Sequence, residues 1–172
     1  MSKSVLILSA SPRKSGNSDL LCHQFLRGAQ EAGKQAEKIF LRDKKFGYCV
    51  ACEACQKNGG ICTQKDDMAA ILEKMIAADV IVMATPVYFY TMDAQMKTLI
   101  DRTVARYTEI TGKEFYFIVT AAENSKKLME RTIEGFRGFT DCLEGAVESG
   151  IVYGIGAWEK GAIKEKAAMG EA

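Results

Sequence analysis

Two stretches of the chain gather residues able to do chemistry. The first is VLILSASPRKSGNSD, from Val5 to Asp19. Four branched apolar residues, Val5 to Leu8, break into small, polar and basic ones, and a helical pattern follows from about Ser18. A buried strand feeding a short polar loop into a helix N-terminus makes an anion site. The first-turn N–H groups lack partners, and the helix dipole favours negative charge there. Ser9, Ser11, Ser15, Asn17 and Ser18 add hydroxyl or amide donors, and Arg13 adds a charged fork. The stretch reads as a phosphate-binding loop.

The second stretch holds Cys49, Cys52, Cys55 and Cys62, in the pattern C-x2-C-x2-C-x6-C. Short spacers let one loop wrap a cubane with thiolates, and Gly59 and Gly60 let it turn back to the fourth. The same four thiolates can hold zinc, or stand as free, redox-active thiols. The spacing leaves these three open. Cys22 and Cys142 fall on predicted helices and read as buried, inert thiols. His23 is the single histidine, so neither a Ser–His–Asp triad nor a histidine metal site can be assembled.

The rest of the chain must position these groups. At 172 residues, 48% of them hydrophobic, it has the size and composition of one globular domain spanning 1–172. With 23 basic and 22 acidic side chains, the net charge of +1 gives no electrostatic case for nucleic acid. No apolar run approaches the roughly 18 residues of a membrane span. The opening apolar stretch is too short for a signal peptide's core, so a cytoplasmic protein is expected. There, cysteines are more often metal-binding or catalytic than disulfide-bonded. Neither G-x-x-x-x-G-K-[ST] nor a G-x-G-x-x-G after the first strand occurs.

Apolar runs and alternation predict strands at 5–8, 35–41, 79–84, 115–122 and 149–155. Helical spacing predicts helices at 18–32, 68–78, 93–106, 125–143 (interrupted by Gly135 and Gly138) and 162–172. Asp101 and Arg102 fall within the third of these and can form a structural ion pair. Five strands alternating with helices mean an α/β doubly wound parallel sheet, order 2-1-3-4-5, with helices on both faces. Ligands of such sheets bind beyond the carboxyl ends of the strands at the switch point. Three loops meet there: 10–17, 85–92 and 120–124. In the second, Pro86 stiffens the turn, and Tyr88, Phe89 and Tyr90 offer stacking surface for a planar ring. A phosphate at one end and a flat heteroaromatic at the other describe a mononucleotide, and FMN fits.

The segments SASPRKSGNS, the cysteine loop ending in KDDM, ATPVYFYTMDAQMKTLIDR and GAIKEKAAM stand in this order along almost the whole chain. In them the chain resembles the flavodoxin-like NAD(P)H-dependent FMN reductases, iron–sulfur flavoproteins among them. The resemblance implies FMN, its phosphate held by Ser11, Arg13, Asn17 and Ser18, with Ser9 counted among the cofactor-binding residues. Its ring would lie against Pro86, Val87, Tyr88 and Phe89, with Thr120, Ala121 and Ala122 closing the other side. The Ser-Pro-Arg form of the loop favours the reductase branch over electron-transfer flavodoxins. The implied activity takes hydride from NAD(P)H and passes electrons to a flavin, quinone or similar small acceptor. The alternative is an electron carrier with a [4Fe–4S] cluster on Cys49, Cys52, Cys55 and Cys62, served by a ferredoxin. The resemblance also implies a homodimer or larger homo-oligomer, with the apolar face of the 93–106 helix (Met96, Leu99, Ile100) at the contact.

Overall fold

The computed structural model of the protein describes residues 3–172. In chain order the elements are β1 (Ser4–Ser9), α1 (Asn17–Glu31), β2 (Gln35–Phe40), α2 (Ala54–Lys57), α3 (Met68–Ala77) and β3 (Val80–Tyr88). There follow β4 (Thr91–Met92), α4 (Ala94–Arg102), β5 (Glu114–Thr120), α5 (Lys126–Thr140), β6 (Val147–Gly154) and α6 (Ala168–Glu171). The long strands pair in parallel in the order β2-β1-β3-β5-β6. This is the 2-1-3-4-5 order expected from the sequence, and β4 adds only a short antiparallel return on β3.

Burial on both faces explains the apolar runs, because successive side chains of a strand point to opposite sides. Leu6, Leu8, Ile81, Met83, Phe115 and Phe117 face one core, closed by α3, α4 and α5. Val5, Ile7, Val80, Val82 and Ile118 face the other, closed by Leu21 and Cys22 of α1 and by Ile163 and Ala168 of the C-terminal segment. Met96 and Leu99 are fully buried in the first core. Met96 and Leu99 of α4 are therefore spent on the chain's own sheet, and Ile100 is half-buried against the same core.

Several details depart from the sequence expectation, among them the helix expected over 162–172, which is a 3₁₀ turn (Ala162–Glu165) followed by the short α6. α5 runs through Gly135 and Gly138 without a break. A side chain at 135 would come within 3.0 Å of Met92 Cε, so the glycine admits β4 against the helix. The strand expected to stop at Ala84 continues to Tyr88 and turns back through Phe89 and Tyr90. Both turn residues have positive φ, 50° and 62°. That is the two-residue hairpin conformation glycine and asparagine usually supply, and it costs a side-chain-bearing residue about 1–2 kcal/mol each. The helix expected over 93–106 is α-helical only to Arg102 and then tightens to a 3₁₀ turn. Cys142 is exposed, its thiol 3.4 Å from Gly138 O, whereas Cys22 is buried as expected.

Asp93 joins β4 to α4. Its N–H donates to Thr85 Oγ1 at 3.0 Å, and its carboxylate caps α4 by accepting from Met96 N–H at 3.0 Å. Burial pushes its carboxyl up from 3.8 to about 6, the hydrogen bonds from Met96 and Thr85 only partly opposing it. A raised folded pKa means the folded state binds the proton more tightly. This contribution is therefore complete below pH 3.8 and lost as pH rises through about 6. Asp93→Asn keeps the capping acceptor without the charge. Urea melts should show the variant gaining on the parent across that window, by roughly 1–3 kcal/mol at neutral pH. A difference that does not change with pH would contradict this assignment.

Candidate functional site

The site begins where neighbouring strands stop at different heights. β1 ends at Ser9, in register with Ala84, whereas β3 continues, so Thr85–Tyr88 overhang the switch point. Ala10 N–H donates to Ala84 O at 2.9 Å, and the chain then folds over the carboxyl end of the sheet. Arg13 N–H donates to Ser11 Oγ at 3.2 Å, and Gly16 N–H donates to Arg13 O at 3.0 Å. A Cβ on Gly16 would lie 2.9 Å from Arg13 O and 3.2 Å from Ser11 Oγ, so only glycine closes this turn. Ser15, at φ 55°, donates its N–H to Asp19 Oδ2 at 2.8 Å, and Lys38 Nζ stands 2.5 Å from Asp19 Oδ1. No side chain caps α1 at Gly16, which leaves its first-turn donors for an anion.

Around that helix end lies a cleft of about 210 Å³. It is lined by Ser11, Arg13, Gly16, Asn17 and Ser18 from the first loop and Pro86, Val87 and Tyr88 from the overhang of β3. Thr120, Ala121 and Ala122 after β5, and Ala157 and Trp158 after β6, complete it. Of the residues expected to hold the cofactor, two lie outside. Ser9 is fully buried inside β1, next to the Cys22 thiol, which burial pushes up to about 12. Phe89 occupies the hairpin tip and is 100% exposed.

The polar groups of the cleft divide into spent and unspent. Asn17 is spent: its Nδ2 donates to Ala157 O at 2.9 Å and Glu159 O at 3.0 Å, and its Oδ1 accepts from Gly161 N–H at 2.9 Å and Ile163 N–H at 3.3 Å. Its side chain thus clamps the backbone on either side of Trp158 instead of presenting an amide to a ligand. Ser18 Oγ and Thr120 Oγ1 are 2.6 Å apart and buried, linking the first loop to the end of β5. Arg13 is unspent; its guanidinium is exposed and makes no hydrogen bond or ion pair among the described residues. Gly16, Ala157 and Trp158 were not foreseen. The one usable signal was the single tryptophan of the chain, placed in the loop after the last strand.

The cysteine loop forms a second site. Cys49, Cys52, Cys55 and Cys62 line one cavity of about 280 Å³, closed by Arg102, Val104 and Ala105. All four are free thiols. Ala51 and Glu53, on either side of Cys52, adopt positive φ of 51° and 56°. The Cys52 thiol is held below its usual range by hydrogen bonds, first from Ala54 N–H and then with Thr63 Oγ1 at 3.6 Å. Among the described residues no three His, Cys, Asp or Glu side chains converge closely enough for a single metal ion. The ion pair read between Asp101 and Arg102 is replaced by two others. Asp101 bonds Lys97 one helical turn back at 2.5 Å, and Arg102 reaches into the cysteine loop to Asp66.

Trp158 is 75% exposed at the cleft wall, so a flavin bound there should quench its emission. Titrating flavin-free protein with FMN is expected to give a saturable fall of most of the tryptophan signal. Asn17→Ala removes the clamp around Trp158 and should weaken FMN binding at least several-fold. Emission unchanged at saturating FMN would place the flavin elsewhere.

The profile of the NADPH-dependent FMN reductase family matches residues 4–140. An iron–sulfur flavoprotein of Methanocaldococcus jannaschii is 41% identical over 99 residues, 58% of this chain and 51% of that protein. The chain spans about half the length of the curated relatives it matches. An NAD(P)H:quinone oxidoreductase from Methanothermobacter marburgensis superposes with a TM-score of 0.73 at 19% identity, over 99% of this chain and 95% of that one. An FMN-dependent NADH-azoreductase from Bacillus anthracis, solved in complex with FMN, gives 0.71 at 19% identity, over 98% and 95%. At these identities the likeness is one of fold, and it is the flavodoxin-like fold expected from the sequence. The match over most of the chain bears out the resemblance: this chain belongs to the NADPH-dependent FMN reductase family.

Proposed function

We propose that the chain binds FMN in the cleft above β1, β3 and β5, takes hydride from NAD(P)H and hands the electrons to a small acceptor such as a flavin or quinone. The observation that carries this reading is the convergence on one cleft of an uncapped helix end, an unpaired arginine and a flat apolar wall. FMN supplies the hydride and electron chemistry when bound, and the protein supplies placement and electrostatics. Arg13 and the first-turn N–H groups of α1 neutralise the phosphate. Pro86 brings no N–H of its own, and with Val87, Tyr88 and Trp158 it offers the surface for a planar ring. The Ser18–Thr120 bond fixes the distance between the phosphate end and the β5 loop. No side chain is required as a nucleophile.

The cysteine cavity favours a second reading, an iron–sulfur flavoprotein. Four thiols spread around the walls of about 280 Å³ suit a polynuclear cluster better than one zinc ion, whose thiolates must meet at about 2.3 Å from a point. Cys49, Cys52, Cys55 and Cys62 are the residues that would hold a [4Fe–4S] cluster, and the left-handed residues flanking Cys52 shape the loop around it. Such a centre supplies one-electron transfer, and a ferredoxin would then be a fitting partner. Homo-oligomer formation remains part of the proposal. Its contact would use the exposed Tyr88, Phe89, Tyr90 and Trp158 around the cleft, not the buried Met96 and Leu99 of α4.

Both readings meet in one preparation made without oxygen. Flavin absorption with close to one FMN per chain, lost in Arg13→Ala by a tenfold or greater weakening of affinity, is expected. Roughly four irons with matching sulfide per chain identify the cluster-bearing form, and flavin without iron the simple reductase. A colourless protein that takes up no FMN would overturn the proposal.

A further inference from the structure

Arg102 is the last residue of α4, and its side chain is only 2% exposed. A buried guanidinium is costly unless its donors are met, and here they are met almost wholly by the cysteine loop. One terminal nitrogen donates to Asp66 Oδ2 at 2.8 Å, Gly47 O at 2.7 Å and Gln64 Oε1 at 3.2 Å. The other donates to Asp66 Oδ1 at 3.0 Å and to Cys62 Sγ at 3.5 Å. Asp66 is itself fixed by Met68 N–H, at 3.1 Å, in the first turn of α3. The fork is thus held rigidly from the carboxylate side while its remaining edge points at one of the four sulfurs. Cys62, Gln64, Arg102 and Ala105 line both the cysteine cavity and a neighbouring groove of about 580 Å³.

This arrangement exceeds what loop anchoring needs. The Gly47 carbonyl and the Gln64 side-chain amide could have been met by a neutral donor, without burying a charge. A fixed cation and an N–H···S bond beside a thiolate do something a neutral group cannot: they stabilise added negative charge on whatever that thiolate ligates, and the low local dielectric enlarges the effect. Lysine cannot reproduce it fully, having no planar fork to hold Asp66 and Cys62 at once.

We infer that Arg102, held by Asp66, is a positioning residue for the cysteine-bound cluster: it fixes Cys62 as the fourth ligand and raises the reduction potential of the centre. The inference rests on the iron–sulfur reading. Its test is potentiometry followed by electron paramagnetic resonance, on full-length chains reconstituted without oxygen with ferrous iron and sulfide, iron being counted per chain. Arg102→Gln is expected to lose part of its iron during gel filtration and to titrate at a more negative potential than the parent. Arg102→Lys should shift the same way by less. Asp66→Asn, which leaves the guanidinium charge uncompensated, should shift the potential to the positive side. If Arg102→Gln does not fold, Asp66→Asn carries the test alone with the opposite sign. A parent that loads normally while the variants retain its iron content and potential overturns the role of Arg102. A parent that takes up no iron overturns the cluster reading itself, and this inference with it.

Discussion

A parallel sheet joined by crossover helices has both faces covered, and that constraint organises the whole molecule. Side chains along β1, β3 and β5 are consumed by two cores, so little along the strands is left for chemistry. What remains is the rim at their carboxyl ends, where loops leave the sheet and helices begin. β1 stopping at Ser9 while β3 runs on to Tyr88 opens a step in that rim. The first turn of α1 faces the step without a side-chain cap. A helix end with free donors at one side of the step follows from sheet geometry, and Pro86, Val87, Tyr88 and Trp158 supply the wall at the other.

α4 ties this rim to the cysteine loop. At its start, Asp93 bonds Thr85 at the base of the β3 overhang and caps the helix. At its end, Arg102 latches the loop through Asp66, Gly47 and Cys62. One half-buried helix, held to the sheet by Met96 and Leu99, thus fixes both candidate redox sites in a single frame. Both of its end residues are ionisable and buried. Burial raises the Asp93 carboxyl. Burial acts against charge on Asp66 too, but the hydrogen bonds from Arg102 and Met68 N–H outweigh it and hold that carboxyl below its usual range.

Much of this was legible in the sequence because its causes are local. Branched apolar runs declared the buried strands, and the SASPRKSGNS loop declared the helix end. What was illegible depends on partners far along the chain or on turns made by the wrong residue types. The Phe89–Tyr90 hairpin contains no glycine or asparagine to announce it. Asn17 looked like a ligand donor, yet its amide is claimed by backbone near residues 157–163, which nothing local could show. Arg102 looked like the partner of its neighbour Asp101. Successive helical residues do not face one another, and the true partner is Asp66, in a loop read only for its cysteines. Gly135 looked like a helix break and instead makes room for Met92.

We propose that the step between β1 and β3 holds FMN by the phosphate at the α1 end and by the ring at the β3 overhang. A crystal structure of the protein soaked or co-crystallised with FMN tests it most directly. The phosphate is expected over residues 11–18 within reach of Arg13, and the ring against Pro86–Tyr88 and Trp158. Flavin bound at the cysteine cavity, or with its phosphate away from the α1 terminus, would contradict it.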